Sequence, residues 1–217
     1  ANAMSNPLAH MHKEFTFEHC STVSEMNPEI APPLRLTDCS LVTDGAAALI
    51  LTTDENAATF PKSVSMRAAE HVNDFLPMSR RDFLAFEGPE RAFAQAFKAA
   101  NFTLEDIDFA EVHDCFTIAE LLTYEAMGLA PKGQGSRALE DGTVYRGGAL
   151  PVNLSGGLKA KGHPVGATGV SMHALAFRQL TNQAGDLQVP GADLGLLFNM
   201  GGSAVANYVS VLEARKV

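Results

Sequence analysis

The sequence predicts an α/β protein in which helices pack against a sheet. Three observations carry that prediction. Short apolar runs of strand length alternate with longer runs of helical period, in the order β–α–β–α–loop–α–β–β. Glycine- and proline-rich punctuation separates them. The chain's 217 residues, 46% hydrophobic and 19% charged, suffice for a sizeable core and exclude intrinsic disorder.

Ala1, Asn2 and Ala3, ahead of Met4, read as a cloning scar and are set apart from fold reasoning. From Met4 to about Asp38, Pro7, Pro28, Pro32 and Pro33 break every period, which predicts an irregular segment. Residues 46–53, led in by Asp44-Gly45, read as a short buried strand, and residues 63–71 as another. Gly88-Pro89-Glu90 is a helix start with proline at the first helical position; Phe93, Ala96, Phe97 and Ala100 then recur on one face. Thr103 to Asp106 has the form of a capping box. Residues 108–112 predict a strand and 116–127 an apolar helix stopping at Gly128. A glycine-bearing loop over 131–150 leads to a helix over 168–184. Pro190-Gly191 is a turn before strands at 194–198 and 204–212.

Charge narrows the function classes. Sixteen basic against 25 acidic residues give a net charge of −9, so no electrostatic footprint for nucleic acid is expected. No apolar run approaches the ~20 residues of a membrane span and no leader opens the chain, so the expected location is cytoplasmic. Cys20, Cys39 and Cys115 form no CxxC pair, which argues against a disulfide framework and a zinc site. The block from Gly162 to Gly169 spaces its glycines as G-x-x-x-G-x-x-G, neither the dinucleotide fingerprint nor a P-loop. Residues 153–157 lack the first glycine of a nucleophile elbow.

Three polar groups remain at junctions of apolar elements. His113-Asp114-Cys115-Phe116 lies where a strand gives way to a helix, and a thiol at a helix N-terminus is expected to favour thiolate. His163 stands between Gly162 and Gly166, which allow close backbone approach. Asn199-Met200-Gly201-Gly202 closes a strand in a tight loop whose N–H groups suit an anion. Taken singly, each also has an ordinary structural reading: a small buried thiol, a structural hydrogen-bonder, a hairpin turn.

In this order and spacing, residues 36–48, 111–116, 152–157, 162–169 and 199–202 together resemble the C-terminal half of thiolases. The His113-Asp114-Cys115-Phe116 box resembles the sterol-carrier-protein type. The resemblance implies a thiolase-like C-terminal domain with a mixed sheet of about five strands and helices on both faces. Residues 4–55 would be the tail of the first half and 56–217 the C-terminal domain. It also implies roles. His163 would activate a nucleophilic cysteine and help bind the thioester oxygen. Cys115 would be the acid/base, relocated from the position of Asn199, and His113 would hold an oxyanion-hole water. Gly201 would offer an oxyanion-hole N–H, while Phe116, Gly162 and Gly202 would line the CoA side.

The chemistry suits these residue types, because thioester cleavage and condensation pass through oxyanions that fixed N–H donors stabilise. The implied activity is acyl transfer on a coenzyme A thioester: thiolysis of 3-ketoacyl-CoA or condensation of acetyl-CoA, with no cofactor beyond that substrate. The nucleophile belongs to the first half of such enzymes, and neither Cys20 nor Cys39 has its context. This chain is therefore expected to need that half as a partner, to be inactive alone, and to be a homo-oligomer when full length. Two alternatives stay open, a thiolase-fold acyl-CoA retro-aldol lyase and a non-catalytic binding or assembly module.

Overall fold

In the computed structural model, residues 2–215 are described; Ala1, Lys216 and Val217 lie outside the described residues. In chain order the elements are α1 (Phe17–Ser21), β1 (Glu29–Ala31), β2 (Leu34–Arg35), α2 (Asp54–Ala57), β3 (Val64–Asn73), α3 (Glu87–Ala100), β4 (Phe109–Val112), α4 (Thr117–Ala126), α5 (Arg137–Glu140), α6 (Gly157–Ala160), α7 (Thr168–Leu180), β5 (Leu194–Gly201) and β6 (Ala206–Ala214). The main sheet runs β3-β6-β5-β4. Its first two pairings are antiparallel, and β5–β4 is parallel. A single bridge from Ala110 to Val152 extends the β4 edge, and the main sheet has four strands where about five were expected.

Alternation along the strands decides which helix each side chain meets. Leu196 and Phe198 of β5, with Val209 and Val211 of β6, face the larger core, where Phe93 of α3 brings its ring to 5.0 Å from that of Phe198. Leu197 and Leu212 face the other way, onto Met172, Ala176 and Leu180 of α7. Helices therefore cover both faces. Each fully buried Leu, Phe or Met contributes roughly 1.5–3 kcal/mol by leaving water. Within α3, Phe93, Ala96 and Ala100 are buried as their spacing predicts. Pro89 is the third helical residue rather than the first, still within the turn whose N–H groups lack intrahelical acceptors. Asp106 accepts from the Thr103 N–H at 2.7 Å, confirming that capping box. Helix α7 ends at Leu180, four residues early, because Asn182 takes a positive φ of 56°.

Two expectations fail here. Residues 46–53 form no strand: Ile50 is 87% and Leu51 80% exposed. Their composition suits a strand, but among the described residues no neighbour offers them a ladder, and a strand needs a partner for its backbone groups. The segment before Asp38 is not wholly irregular either, since β1 and β2 pair as a short hairpin. Its start is anchored: Asn2 Nδ2 donates to Val152 O at 2.8 Å, Ala3 packs at Gly156, and Asn6 Nδ2 donates to Ser155 O at 2.8 Å.

Candidate active site

Strands β4 and β5 run parallel, and their carboxyl ends open beside the N-terminus of α7, where α/β folds place ligands. His113 follows the end of β4. Asn199 lies near the end of β5, on the face that carries Leu197, and so points towards α7; a Cβ on Gly169 would come within 2.9 Å of its side-chain nitrogen. The loop before α7 delivers His163.

These groups converge. His113 Nδ1–H donates to Asn199 Oδ1 at 2.6 Å, since a carbonyl oxygen only accepts. The rings of His113 and His163 meet edge to face, centroids 5.3 Å apart. Thr168 donates its hydroxyl proton to Pro164 O at 3.1 Å, so that oxygen receives the Nδ1–H of His163 at 2.7 Å. Both imidazoles thereby keep Nε2 as their unprotonated nitrogen. Both also resist protonation. Burial chiefly holds His113 at about 4, partly opposed by its bond to Asn199 and aided by His163. Burial, then the Lys161 charge, lowers His163. A pair of neutral bases therefore stands here at neutral pH.

Cys115 departs from expectation. Helix α4 begins two residues later, at Thr117, and burial followed by the neighbouring Asp114 pushes the thiol up to about 11. The anticipated thiolate gives way to a thiol, which can donate a proton and becomes a base only when something removes that proton. Phe116, the residue that caps α4, is 40% exposed and pairs with Cys39 in an isolated bridge.

The glycines divide by role. Space beside Gly201 is open, with no atom within 4 Å of where a Cβ would stand, and Gly202 turns the chain at φ +61°. Gly162, by contrast, is filled by the chain itself: a Cβ there would meet His10 at 2.9 Å and Thr43 at 3.0 Å. The missing side chain makes room for these two side chains.

Beneath the site lies a buried acidic group that the sequence reading did not single out. Asp114 Oδ1 accepts from the Leu158 N–H at 2.7 Å, joining the 113–116 box to α6. Burial, then the charge of Glu120, raises Asp114 to about 8. Glu120 accepts from the Tyr124 hydroxyl at 2.8 Å and Asn153 Nδ2 at 3.1 Å, and burial raises it too. Glu111 accepts from Ser155 Oγ at 2.6 Å and is likewise raised by burial. Thr168 was also missed; its place inside the 162–169 block, five residues after His163, was the available signal. Among the described residues no cluster of His, Cys, Asp and Glu forms a metal site, and no helix is long and apolar enough to cross a membrane.

Comparison with known proteins adds lineage to this geometry. Residues 69–214 match the family model described as "Thiolase C-terminal domain-like". The chain is 42% identical over 204 residues to the acetyl-CoA acetyltransferase of Methanothermobacter thermautotrophicus, covering 93% of this chain and 52% of that protein. It is 36% identical to human sterol carrier protein 2, over 94% of this chain and 38% of that one. The chain thus spans about half, or less, of the length of these relatives. In fold it resembles an Ltp2-ChsH2(DUF35) aldolase, with TM-score 0.83 at 20% identity over 99% of this chain and 56% of the other. It also resembles the Bacillus anthracis acetyl-CoA acetyltransferase, with TM-score 0.60 at 20% identity over 82% and 38%.

Proposed function

Since this chain belongs to the thiolase family, we propose that it supplies the acid/base and oxyanion-hole half of an acyl-CoA acyltransferase that cleaves 3-ketoacyl-CoA or condenses acetyl-CoA. The observation that carries this reading is the convergence of His113, His163 and Asn199, each from a different motif, at the carboxyl ends of β4 and β5. In this reading the neutral Nε2 of His163 takes the proton of an attacking thiol from the complementary half. His113, through its unprotonated Nε2, holds a water whose other proton is donated to the developing oxyanion, and the Gly201 N–H donates to that oxyanion directly, where fixed donors act most strongly in a dry site. Cys115, held as a thiol, returns a proton to the enolate leaving group in cleavage; as the thiolate it removes one in condensation.

The partner is the first half of the same kind of enzyme, and the unpaired apolar run at 46–51 supports such docking, because Leu49, Ile50 and Leu51 leave apolar side chains exposed. Homo-oligomerisation and a cytoplasmic setting belong to the same proposal. The test is 3-ketoacyl-CoA thiolysis, followed by loss of the 3-keto thioester, with this chain alone and joined to a cysteine-bearing first half. Turnover only in the joined form is expected. A comparable rate from this chain alone refutes the division of labour. A second reading, retro-aldol cleavage of an acyl-CoA, draws on the fold similarity to an aldolase. It predicts release of a ketone without added CoA, which the same assay run without CoA detects.

A further inference from the structure

Residues 37–45 touch α6, the start of α4 and two of the site's motifs in turn. Lys159 Nζ donates to Thr37 O at 2.6 Å and Cys39 O at 3.3 Å. Asp38 Oδ1 accepts from Thr117 Oγ1 at 2.9 Å, at the start of α4. The Ser40 N–H donates to the carbonyl of Cys115 at 2.7 Å. The His163 N–H donates to Thr43 Oγ1 at 2.9 Å. Gly45 lies against Pro164 so closely that a Cβ would stand 2.8 Å from the ring. One segment thus bonds to the main chain of Cys115 and of His163, which are 48 residues apart in sequence.

We propose that residues 37–45 are a strap that sets the separation of Cys115 and His163, and that Thr43 is a positioning residue whose hydroxyl fixes the main chain of His163. The proposal rests on the acyl-transfer reading only for the purpose that this positioning serves. The imidazole is then held by its ring through Thr168 and by its backbone through Thr43, which leaves one orientation for Nε2. Pre-organisation of this kind matters because a misplacement of about 1 Å can cost on the order of 100-fold in rate. The positive φ of Gly162, +127°, brings the strap close enough for the Thr43 bond, and a side chain there would displace it.

The test uses Thr43→Val, which keeps the shape and removes the acceptor, Thr43→Ser, which restores it, and Gly45→Ala, which lifts the strap from Pro164. The readout is the NMR titration of the His163 ring in this chain, which needs no substrate. Charged or titratable groups acting on that ring are Lys161 and His113, while His10 packs against Gly162, the residue before it. Release of the ring into water should raise its pKa in Thr43→Val and Gly45→Ala, with Thr43→Ser close to wild type. In the protein joined to its first half, Thr43→Val should lower kcat about tenfold with KM unchanged. Wild-type titration in both Thr43→Val and Gly45→Ala overturns the proposal, and if Thr43→Val does not fold, Gly45→Ala decides alone. Shifted titration in the variants, together with no thiolysis by the joined wild-type protein, leaves the strap standing and removes the acyl-transfer reading.

Discussion

Replacing Thr168 by Val deletes one hydroxyl at a fully buried position and keeps the side chain's volume. That hydroxyl accepts from His163 Nδ1–H at 2.7 Å and donates to Pro164 O at 3.1 Å, so its loss orphans the ring donor and removes one of three donors from the carbonyl. A net hydrogen bond is worth about 1 kcal/mol, and a buried group left without its partner costs about 1–3 kcal/mol. The carbonyl still receives the Ala167 N–H at 2.8 Å, which puts the total near 2 kcal/mol. For a chain of this size that corresponds to a Tm lower by roughly 4–8 °C. The Nδ1–H tautomer of His163 also loses its partner, and about 1–2 kcal/mol changes the tautomer ratio by roughly 5- to 30-fold. Nitrogen-15 NMR of the imidazole reads this directly: wild type should show protonated Nδ1, and the variant a substantial fraction of protonated Nε2. Unchanged tautomer populations in a folded Thr168→Val protein refute the argument that Thr168 orients the base.

Other outcomes follow from the same geometry. A thiol pushed up to about 11 should react slowly with iodoacetamide near neutral pH; the Cys115 alkylation rate, read by peptide mass spectrometry, should climb tenfold per pH unit until that value. Asp114 has a folded pKa of about 8 against 3.8, so it favours folding below pH 3.8, and that contribution is lost as pH rises towards 8. Asp114→Asn, which keeps the acceptor for Leu158 N–H, should therefore exceed wild type in stability at pH 8 by a few kcal/mol and match it near pH 4, measured by urea unfolding. His113 acts with the opposite sign: its folded pKa of about 4 lies below 6.5, so stability falls by roughly 3 kcal/mol as pH drops from 6.5 through 4. Urea unfolding of His113→Gln should show that loss removed. Ile50→Lys should leave the Tm of this chain within about 1 °C, because Ile50 is 87% exposed, while weakening assembly with a first half in a pull-down.

The alternating strands and helices, the buried face of α3 and the 103–106 cap were legible from spacing alone, because period and capping chemistry are local properties. So were His113, Cys115, His163 and Asn199 as candidates, through motifs that each sit on a short piece of chain. What spacing did not reveal is how they act. The Cys115 thiol is held up, against the expectation from its place beside a helix start, by burial and by Asp114. Residues 46–53 have the composition of a buried strand and stay exposed, since pairing depends on a neighbouring strand that a sequence pattern does not supply. Thr43 reaches His163 across 120 residues, and Gly162 leaves room for that contact. Sequence by itself determined which residues carry reactive groups and which elements present them. Only the tertiary structure decided their protonation, tautomer and spacing, because these depend on burial and on partners distant in the chain.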